Sequence, residues 1–285
     1  MTTTHWQTSR FQIDLRRPQV MGIVNVTPDS FSDGGSWFDP RAALAHAEQL
    51  LQDGADLLDI GGESTRPGSP AVPLDEELRR VLPVLREAVK LQVPISIDTY
   101  KPEVMRAALD LGADIINDIW ALRQPGARAA VAAHPQCGIC LMHMHADPQT
   151  MHVSQMTGHD VAAQVLQFLE REAQELLALG VEKPRIMFDA GIGFGKTVAQ
   201  NFELLQQHAA LGATGYPLLA GWSRKSSLGK VTGREVDERM PASIAAAVLA
   251  VERGAAVVRV HDVRETVDAL AVLRAMQQPH HSIPL

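Results

Sequence analysis

Polar side chains follow each of eight short apolar runs in this chain of 285 residues. They are Asn25, Asp59 with Glu63, Asp98, Asn117 with Asp118, His143 with His145, Asp189, Ser223 with Lys225, and Arg259 with His261. In a parallel barrel the carboxyl ends of the strands meet at one face, where such folds carry out their chemistry. A single polar strand end merely reaches solvent, but this complete set of acids, amides and bases predicts an active site.

Three of these residues suit a flat nitrogen heterocycle. Asp98, Asn117 and Asp189 would end the third, fourth and sixth strands. Carboxylates accept hydrogen bonds from ring N–H and amino groups, whereas an amide both donates and accepts on the opposite edge. Each residue alone could be a helix N-cap or a turn residue, so the prediction depends on the set.

A concentration of cations follows the last two runs. Arg224, Lys225 and Lys230 come after the seventh, and Arg259 and His261 close the eighth. The loops after strands seven and eight are the usual phosphate-binding position in (β/α)8 barrels. Because the chain has a net charge of −7, such a local cluster predicts a pyrophosphate site. A solvated basic turn is the alternative.

Two loops could complete the site. The segment 61–77 is rich in Gly, Pro and hydroxyl residues and carries one cation, Arg66, which indicates a mobile functional lid rather than an idle surface loop. The loop after the first run begins with Asn25, an oxygen donor suited to Mg²⁺ when phosphates supply the other ligands. Asp29 and Asp33 are either further ligands or turn formers.

The elements that position these residues alternate between strand and helix. The apolar runs cover 20–26, 57–62, 94–99, 114–119, 138–144, 185–191, 217–221 and 256–261. Continuous runs are typical of parallel strands buried on both faces. Helical patterns, several ending in Gly, cover 40–54, 75–91, 159–180, 240–254 and 264–276. The pattern predicts a single-domain (β/α)8 TIM barrel over about 18–277 after an N-terminal extension, 1–17, with a doubly wound sheet as the alternative.

Composition excludes other classes. The chain is 46% hydrophobic and 21% charged, which is typical of a globular protein rather than a disordered or fibrous one. It contains no 18-residue apolar run, so we expect no membrane span. Its negative charge predicts no nucleic-acid partner. Two cysteines without an export signal predict a cytoplasmic protein. Within the extension, FQIDL (11–15) could cap the barrel bottom, whereas residues 1–10 carry no readable signal.

The segment FDAGIGFGKT (188–197) invites a phosphate-loop interpretation that its spacing excludes. Ala190 stands where the Walker pattern needs Gly, and Lys196 stands where the dinucleotide pattern needs its third Gly. What remains is a Gly-rich turn that lets the backbone approach a ligand, with Phe194 at its tip.

Two further pairs carry weaker signals. Cys137 and Cys140 are three apart on a predicted strand and face opposite sides, so we interpret them as ordinary core or loop thiols. His143 and His145 could bind zinc, but barrel hydrolases carry such a pair on the first strand, which disfavours that alternative.

Eight sequence blocks resemble the motifs of dihydropteroate synthases, in family order over about 20–263: VMGIVNVTPDSFSDGG, DIGGESTRPGS, SIDTYKPEV, INDI, LMHMH, FDAGIGFGK, WSRKSSLG and VRVHDV. The resemblance implies a (β/α)8 barrel, usually a homodimer, in folate biosynthesis. It implies a transferase that condenses 6-hydroxymethyl-7,8-dihydropterin pyrophosphate with 4-aminobenzoate, giving dihydropteroate and pyrophosphate. It also implies Mg²⁺ as cofactor and the site that sulfonamides occupy.

Matching motif positions imply the site residues. The pterin would be held by Asp98, Asn117, Met142, Asp189 and Lys225. Pyrophosphate would be held by Asn25 through Mg²⁺, and by Arg66, Arg259 and His261. The aminobenzoate would be held by Thr65, Arg66, Pro67, Phe194, Lys225 and Ser226. The catalytic residues would be Asp98, Asp189, Lys225 and Arg66.

The residue types agree with a dissociative, SN1-like substitution. No residue pair in the sequence looks like a nucleophile with its base, and none is required if pyrophosphate leaves first. Mg²⁺ and the cations would stabilise the leaving charge, while Asp98 and Asp189 would stabilise the cation developing on the pterin. The weakly basic aniline then attacks, and loop closure keeps water out.

Three positions depart from the family pattern, and two alternatives within the pterin-binding proteins stay open. Ala190 stands where Pro is usual, Ala146 where Gly is usual, and Ser227 where an apolar residue is usual, which bears on sulfonamide sensitivity. One alternative is an inactive pterin-binding homologue. The other is a pterin-binding methyltransferase, which shares the Asp/Asn grip but lacks STRPG and SRKS.

Overall fold

A computed structural model shows the architecture of the chain and describes residues 4–27, 39–64, 69–146, 155–158 and 160–278. Within these residues, eight parallel strands close into a barrel in chain order, and the last strand pairs with the first. The (β/α)8 barrel predicted from the sequence is confirmed, and the doubly wound sheet is excluded. Among the described residues, no helix is both long enough and apolar enough to cross a membrane.

The strands and helices have the following bounds. An N-terminal hairpin consists of β1 (His5–Gln7) and β2 (Gln12–Asp14). The barrel strands are β3 (Gln19–Asn25), β4 (Leu57–Gly61), β5 (Ile95–Asp98), β6 (Ile115–Asp118), β7 (Gly138–Met142), β8 (Ile186–Asp189), β9 (Leu218–Ala220) and β10 (Val257–Val260). The helices are α1 (Pro40–Gln52), α2 (Leu74–Ala88), α3 (Pro102–Asp110), α4 (Ala127–Ala133), α5 (Val161–Ala178), α6 (Val198–Gln206), α7 (His208–Leu211), α8 (Ser226–Thr232), α9 (Met240–Glu252) and α10 (Val263–Gln277).

Local signals in the sequence set where the helices begin and end. Asp39 caps α1, whose first residue is Pro40, and a Thr197–Gln200 capping box begins α6. The glycines expected at helix ends adopt φ between 86° and 102°: Gly54, Gly112, Gly180 and Gly254. This left-handed backbone costs glycine little, and it turns the chain back towards the next strand.

Register divides the barrel interior into two zones. Residues opposite one another on neighbouring parallel strands share a face, so the pairs Asp98–Asn117 and Met142–Asp189 point inward together. Below them lies an apolar interior cluster: Met21, Leu57, Ile115, Cys140, Met187, Leu219 and Val257. The inward-facing polar groups therefore lie above this apolar base of the barrel: Asp59 and Ser96 in the middle layer, and the others at the carboxyl ends of the strands.

The N-terminal hairpin covers the base of the barrel, below the apolar interior cluster. Trp6 and Ile13 are buried against the interior cluster, and the Trp6 indole N–H donates to the Arg185 carbonyl at 2.9 Å. The expectation that FQIDL caps the barrel is confirmed. Sequence reasoning missed Trp6, because one aromatic residue in a polar stretch carries no periodic signal.

The two cysteines lie on opposite faces of the barrel wall. Cys140 belongs to the interior cluster, whereas Cys137 packs in the layer between strands and helices. Both are buried free thiols, and burial raises the pKa of each. The interpretation as core thiols is confirmed.

Candidate active site

A cavity of about 500 Å³ opens at the carboxyl end of the strands. Every predicted site residue that the structure describes lines it: Asn25, Asp98, Asn117, Met142, Asp189, Phe194, Lys225, Ser226, Arg259 and His261. Thr65, Arg66 and Pro67 lie outside the described residues. Most of the strand-end residues of the sequence thus form one site in space, but Asp59, Asp118, His143 and His145 do not line the cavity.

The acids and the amide form the inner part of the cavity. Asp189 is buried, and its Oδ1 accepts from the Gly191 backbone N–H at 2.7 Å. Burial raises the pKa of Asp98 to about 7 and also raises the pKa of Asp189. A ligand that donates N–H hydrogen bonds to these carboxylates stabilises their charged form, which burial disfavours.

A guanidinium lies between two carboxylates inside the barrel. Arg259 Nε donates to Asp59 Oδ2 at 2.5 Å, and another Arg259 nitrogen donates to Asp98 Oδ2 at 2.8 Å. Asn117 Nδ2 donates to the same Asp59 oxygen at 3.2 Å. Arg259 thus reaches deeper than a purely pyrophosphate-binding cation would, and joins the acidic half of the cavity to the cationic half. The sequence places Asp59 near a strand end but does not indicate its role.

Fewer cations face the cavity freely than the five basic residues that the sequence places after the last two strands. Lys225 Nζ lies 4.2 Å from the centroid of the Phe194 ring, and burial lowers the pKa of Lys225 to about 8 although Asp189 opposes the shift. His261 Nδ1 lies 2.9 Å from Ser223 Oγ. Arg224 lines the rim but pairs with Asp262 at 2.6 Å. Lys230 is exposed on α8 and does not line the cavity.

The Gly-rich turn forms one wall of the cavity. A Cβ at Gly191 would lie 1.8 Å from the His143 carbonyl oxygen, so the close approach requires glycine there. Phe194 packs with Ile119, Met142 and Met144 in an apolar cluster. This cluster gives the wall a flat, apolar surface next to the Lys225 ammonium.

Lys196 stabilises this wall through hydrogen bonds to backbone carbonyls. Its buried ammonium donates to the carbonyls of Gly191, Phe194 and His143, at 2.9, 3.2 and 3.2 Å, and lies 2.9 Å from His143 Nδ1. Burial lowers the pKa of Lys196 to about 7 and that of His143 to about 2. One nitrogen of the histidine considered for zinc is thus engaged with a lysine. The described residues contain no group of three His, Cys, Asp or Glu side chains placed to hold a metal.

The departures from the family pattern lie at or behind the same wall. Ser227 is buried and does not line the cavity; its Oγ accepts from Asn201 Nδ2 at 2.9 Å, and Asn201 Oδ1 accepts from the Gly193 N–H at 2.8 Å. Ala146 has φ of 63°, a left-handed conformation that costs a non-glycine residue about 1 kcal/mol. Ala190 is buried beside Asp189.

The described ends of the 61–77 loop are anchored. Glu63 pairs with Lys101 at 2.5 Å and accepts from the Tyr100 hydroxyl at 2.9 Å. Its Oε2 also accepts from the Val72 N–H at 3.2 Å. These bonds attach both ends of the segment to the start of α3, next to Asp98.

Comparison with known proteins agrees with this geometry. The family of pterin binding enzymes matches residues 21–261. The dihydropteroate synthase of Neisseria meningitidis serogroup B is 50% identical, over 95% of this chain and 97% of its own. A Burkholderia cenocepacia dihydropteroate synthase complexed with 7,8-dihydropteroate is 52% identical with a TM-score of 0.89, covering 98% of each chain. A Xanthomonas albilineans dihydropteroate synthase with 4-aminobenzoic acid is 49% identical with a TM-score of 0.91, covering 99% of this chain and 100% of its own.

The chain belongs to the pterin-binding enzymes, a class that the fold and the acid–amide floor of the cavity already indicate. Since the match spans nearly the whole of both chains, it belongs within that class to the dihydropteroate synthases. The resemblance drawn from the sequence blocks is confirmed. The roles of the individual residues remain predictions.

The lowered pKa of Lys225 predicts the alkaline limb of the pH profile. Above about pH 8 the ammonium loses its proton, so kcat/KM for the pterin substrate should fall there. Lys225→Arg keeps its charge, so the limb should disappear, while misplacement of the cation lowers the rate by up to about 100-fold. Steady-state kinetics from pH 6 to 10 measure both effects.

Exposed Lys183 provides the matched control. Lys183→Arg should leave the profile unchanged. An alkaline limb in Lys225→Arg at the wild-type position would show that another group is responsible.

Proposed function

We propose that this chain condenses 6-hydroxymethyl-7,8-dihydropterin pyrophosphate with 4-aminobenzoate to give dihydropteroate and pyrophosphate. One observation carries the proposal: a single cavity has on its floor two acids, of which Asp189 is buried, and the buried amide of Asn117, and it has cations towards its mouth. A pterin is a flat heterocycle with N–H and amino donors, and its pyrophosphate is an anion. The two halves of the cavity suit the two halves of this substrate.

The floor residues bind the pterin ring. Asp98 and Asp189 accept hydrogen bonds from its N–H and amino groups, and Asn117 pairs with the opposite edge. Met142 packs against a ring face, since it belongs to the apolar cluster with Phe194. Lys225 approaches from the Gly-rich wall and donates to a ring acceptor.

The mouth residues stabilise the leaving pyrophosphate. Arg259 and His261 provide donors from the end of β10, and Arg66 does so by resemblance to the family. A neutral amide oxygen at a strand end fits Mg²⁺, which takes few protein ligands when phosphates supply the rest; Asn25 would hold it. When bound, the ion supplies charge neutralisation to the departing oxygens.

The reaction follows a dissociative course. As the C–O bond to pyrophosphate breaks, positive charge develops on the pterin, and the Asp98 and Asp189 carboxylates stabilise it. The amine of 4-aminobenzoate then attacks, and its proton leaves to solvent or to pyrophosphate. Ser223 and His261 form a hydroxyl–imidazole pair at 2.9 Å in the cavity, whereas the sequence predicts no such pair. The Ser223 hydroxyl also accepts from the His261 backbone N–H at 3.1 Å. The acids and cations that line the cavity support the dissociative course over a covalent one.

The Gly-rich wall and α8 form the aminobenzoate site. Phe194 offers an apolar face to the ring, and Lys225 and exposed Ser226 offer charge and a hydroxyl to the carboxylate. Thr65, Arg66 and Pro67 complete it by resemblance. Since the Ser227 hydroxyl is directed to Asn201, we propose that sulfonamides still occupy this site.

We also propose that the enzyme is a cytoplasmic homodimer. Apolar side chains are exposed on the neighbouring helices α9 and α10, with Leu249 at 40%, Val272 at 72% and Met276 at 62%. Such a surface is typical of one that a second copy covers.

Sedimentation should give twice the chain mass of 31.0 kDa; a single-chain mass at micromolar concentration would contradict the dimer. The reduced thiols support the cytoplasm.

The activity test is direct. Protein incubated with dihydropterin pyrophosphate, 4-aminobenzoate and Mg²⁺ should release equal amounts of dihydropteroate and pyrophosphate. Asp189→Asn removes a buried charge from the pterin site and should lower kcat/KM by about 100- to 1000-fold. The exposed acid Asp268 offers a control, since Asp268→Asn should match the wild type.

The outcome separates the alternatives left open by the sequence. Pterin retained in equilibrium dialysis without pyrophosphate release would favour an inactive homologue. Transfer of a methyl group from a methylated pterin would favour a methyltransferase instead.

A further inference from the structure

Asp59 is a buried carboxylate at the centre of the barrel that the proposed reaction does not use. It lies in the middle of β4, opposite Ser96 on β5, and is 0% exposed. Among the described residues that line the cavity, Asp59 is absent. Any part that Asp59 plays in the reaction is therefore exerted through its neighbours.

Those neighbours are two residues of the cavity. Asp59 Oδ2 accepts from Arg259 Nε at 2.5 Å and from Asn117 Nδ2 at 3.2 Å. Its other oxygen, Oδ1, has no hydrogen-bond partner among the described residues. The hydrogen bonds of this carboxylate to described groups are thus directed to the substrate-facing residues.

We infer that Asp59 is a positioning residue that fixes the amide polarity of Asn117 and the orientation of Arg259 for the pterin substrate. The inference rests on the proposed function.

The effect on Asn117 follows from what a carboxylate can do. An ionised carboxylate accepts hydrogen bonds and donates none. Asp59 therefore selects the orientation of the Asn117 amide in which Nδ2 faces Asp59. Oδ1 of Asn117 is then presented as an acceptor for a heterocycle that carries N–H or amino donors. A neutral amide in place of Asp59 can both donate and accept, so it would pair equally well with either orientation of the Asn117 amide.

The effect on Arg259 follows from charge and geometry together. Asp59 holds Nε while Asp98 holds a second nitrogen at 2.8 Å, so two carboxylates from adjacent strands fix the guanidinium plane. Burying a guanidinium without such partners is costly, and Arg259 would otherwise turn towards solvent or pair with Asp98 alone. Asp98 would then have less freedom to accept from the pterin.

The test is Asp59→Asn, which keeps the size and removes the charge. We expect kcat/KM for dihydropterin pyrophosphate to fall by about 10- to 100-fold, the magnitude found when the outer hydrogen-bond partner of a metal-binding residue is removed. The KM for 4-aminobenzoate should stay within about two-fold of the wild type, because the hydrogen bonds of Asp59 to described residues go to Asn117 and Arg259 and not to the aminobenzoate wall. A general loss of structure would not separate the two substrates in this way.

Ser96 supplies a matched control. It is buried opposite Asp59, and its hydroxyl has no hydrogen-bond partner among the described residues. Ser96→Ala therefore changes the same layer of the barrel without removing a contact to a cavity residue. Wild-type kinetics are expected for this variant.

A double-mutant cycle tests whether Asp59 acts through Arg259. In an Arg259→Met background, the cost of Asp59→Asn should be at least three-fold smaller than in the wild type. If Asp59→Asn alone does not fold, the double variant, which removes both buried charges together, is compared with Arg259→Met.

Three results would overturn the inference. They are wild-type kinetics for Asp59→Asn, an equal loss for both substrates that persists in the Arg259→Met background, or failure of both Asp59→Asn variants to fold. Since wild-type turnover is measured in parallel, absence of dihydropteroate from the wild type would instead contradict the proposed function.

Discussion

The pairing of Arg259 with Asp59 and Asp98 lies where the apolar base of the barrel meets the polar cavity at the carboxyl end of the strands. Three charged groups from β4, β5 and β10 meet there, with Arg259 2.5 Å from Asp59 and 2.8 Å from Asp98. Asp59 is fully buried, whereas the side chains of Asp98 and Arg259 are 11% and 21% exposed. Such a cluster is tolerated because each charge has a partner, and the closed barrel brings those partners together from distant parts of the sequence. The pterin floor and the cationic mouth are the two sides of this cluster.

The proposed chemistry depends on that division. The acids lie deepest, where burial raises the pKa of Asp98 and Asp189 and makes a donor-rich, neutral ring a favourable partner. The cations lie outward, where a departing anion can be stabilised. Lys225, in contact with Phe194, lies between the proposed pterin site and the proposed aminobenzoate site. The negative net charge of the chain therefore says little about the charge of its ligand.

Much of this could be predicted from the sequence, because a parallel barrel places every strand end at one face. Asp98, Asn117 and Asp189 were found by that rule alone. The pairing of Asp59 with Arg259 could not be, since 200 positions separate them and no periodicity links them. Trp6 and the Asn201–Ser227 contact were missed for the same reason: their partners are distant in sequence, and their residue types are common in ordinary cores.

The central claim is that pyrophosphate leaves before the amine attacks. Dihydropterin pyrophosphate labelled with ¹⁸O in the bridging C–O–P position tests it most directly, with enzyme and Mg²⁺ present and 4-aminobenzoate absent. Reversible departure predicts migration of the label into non-bridging phosphate oxygens, visible by ³¹P NMR. A label that stays in the bridge, in a sample that turns over once 4-aminobenzoate is added, would contradict the account.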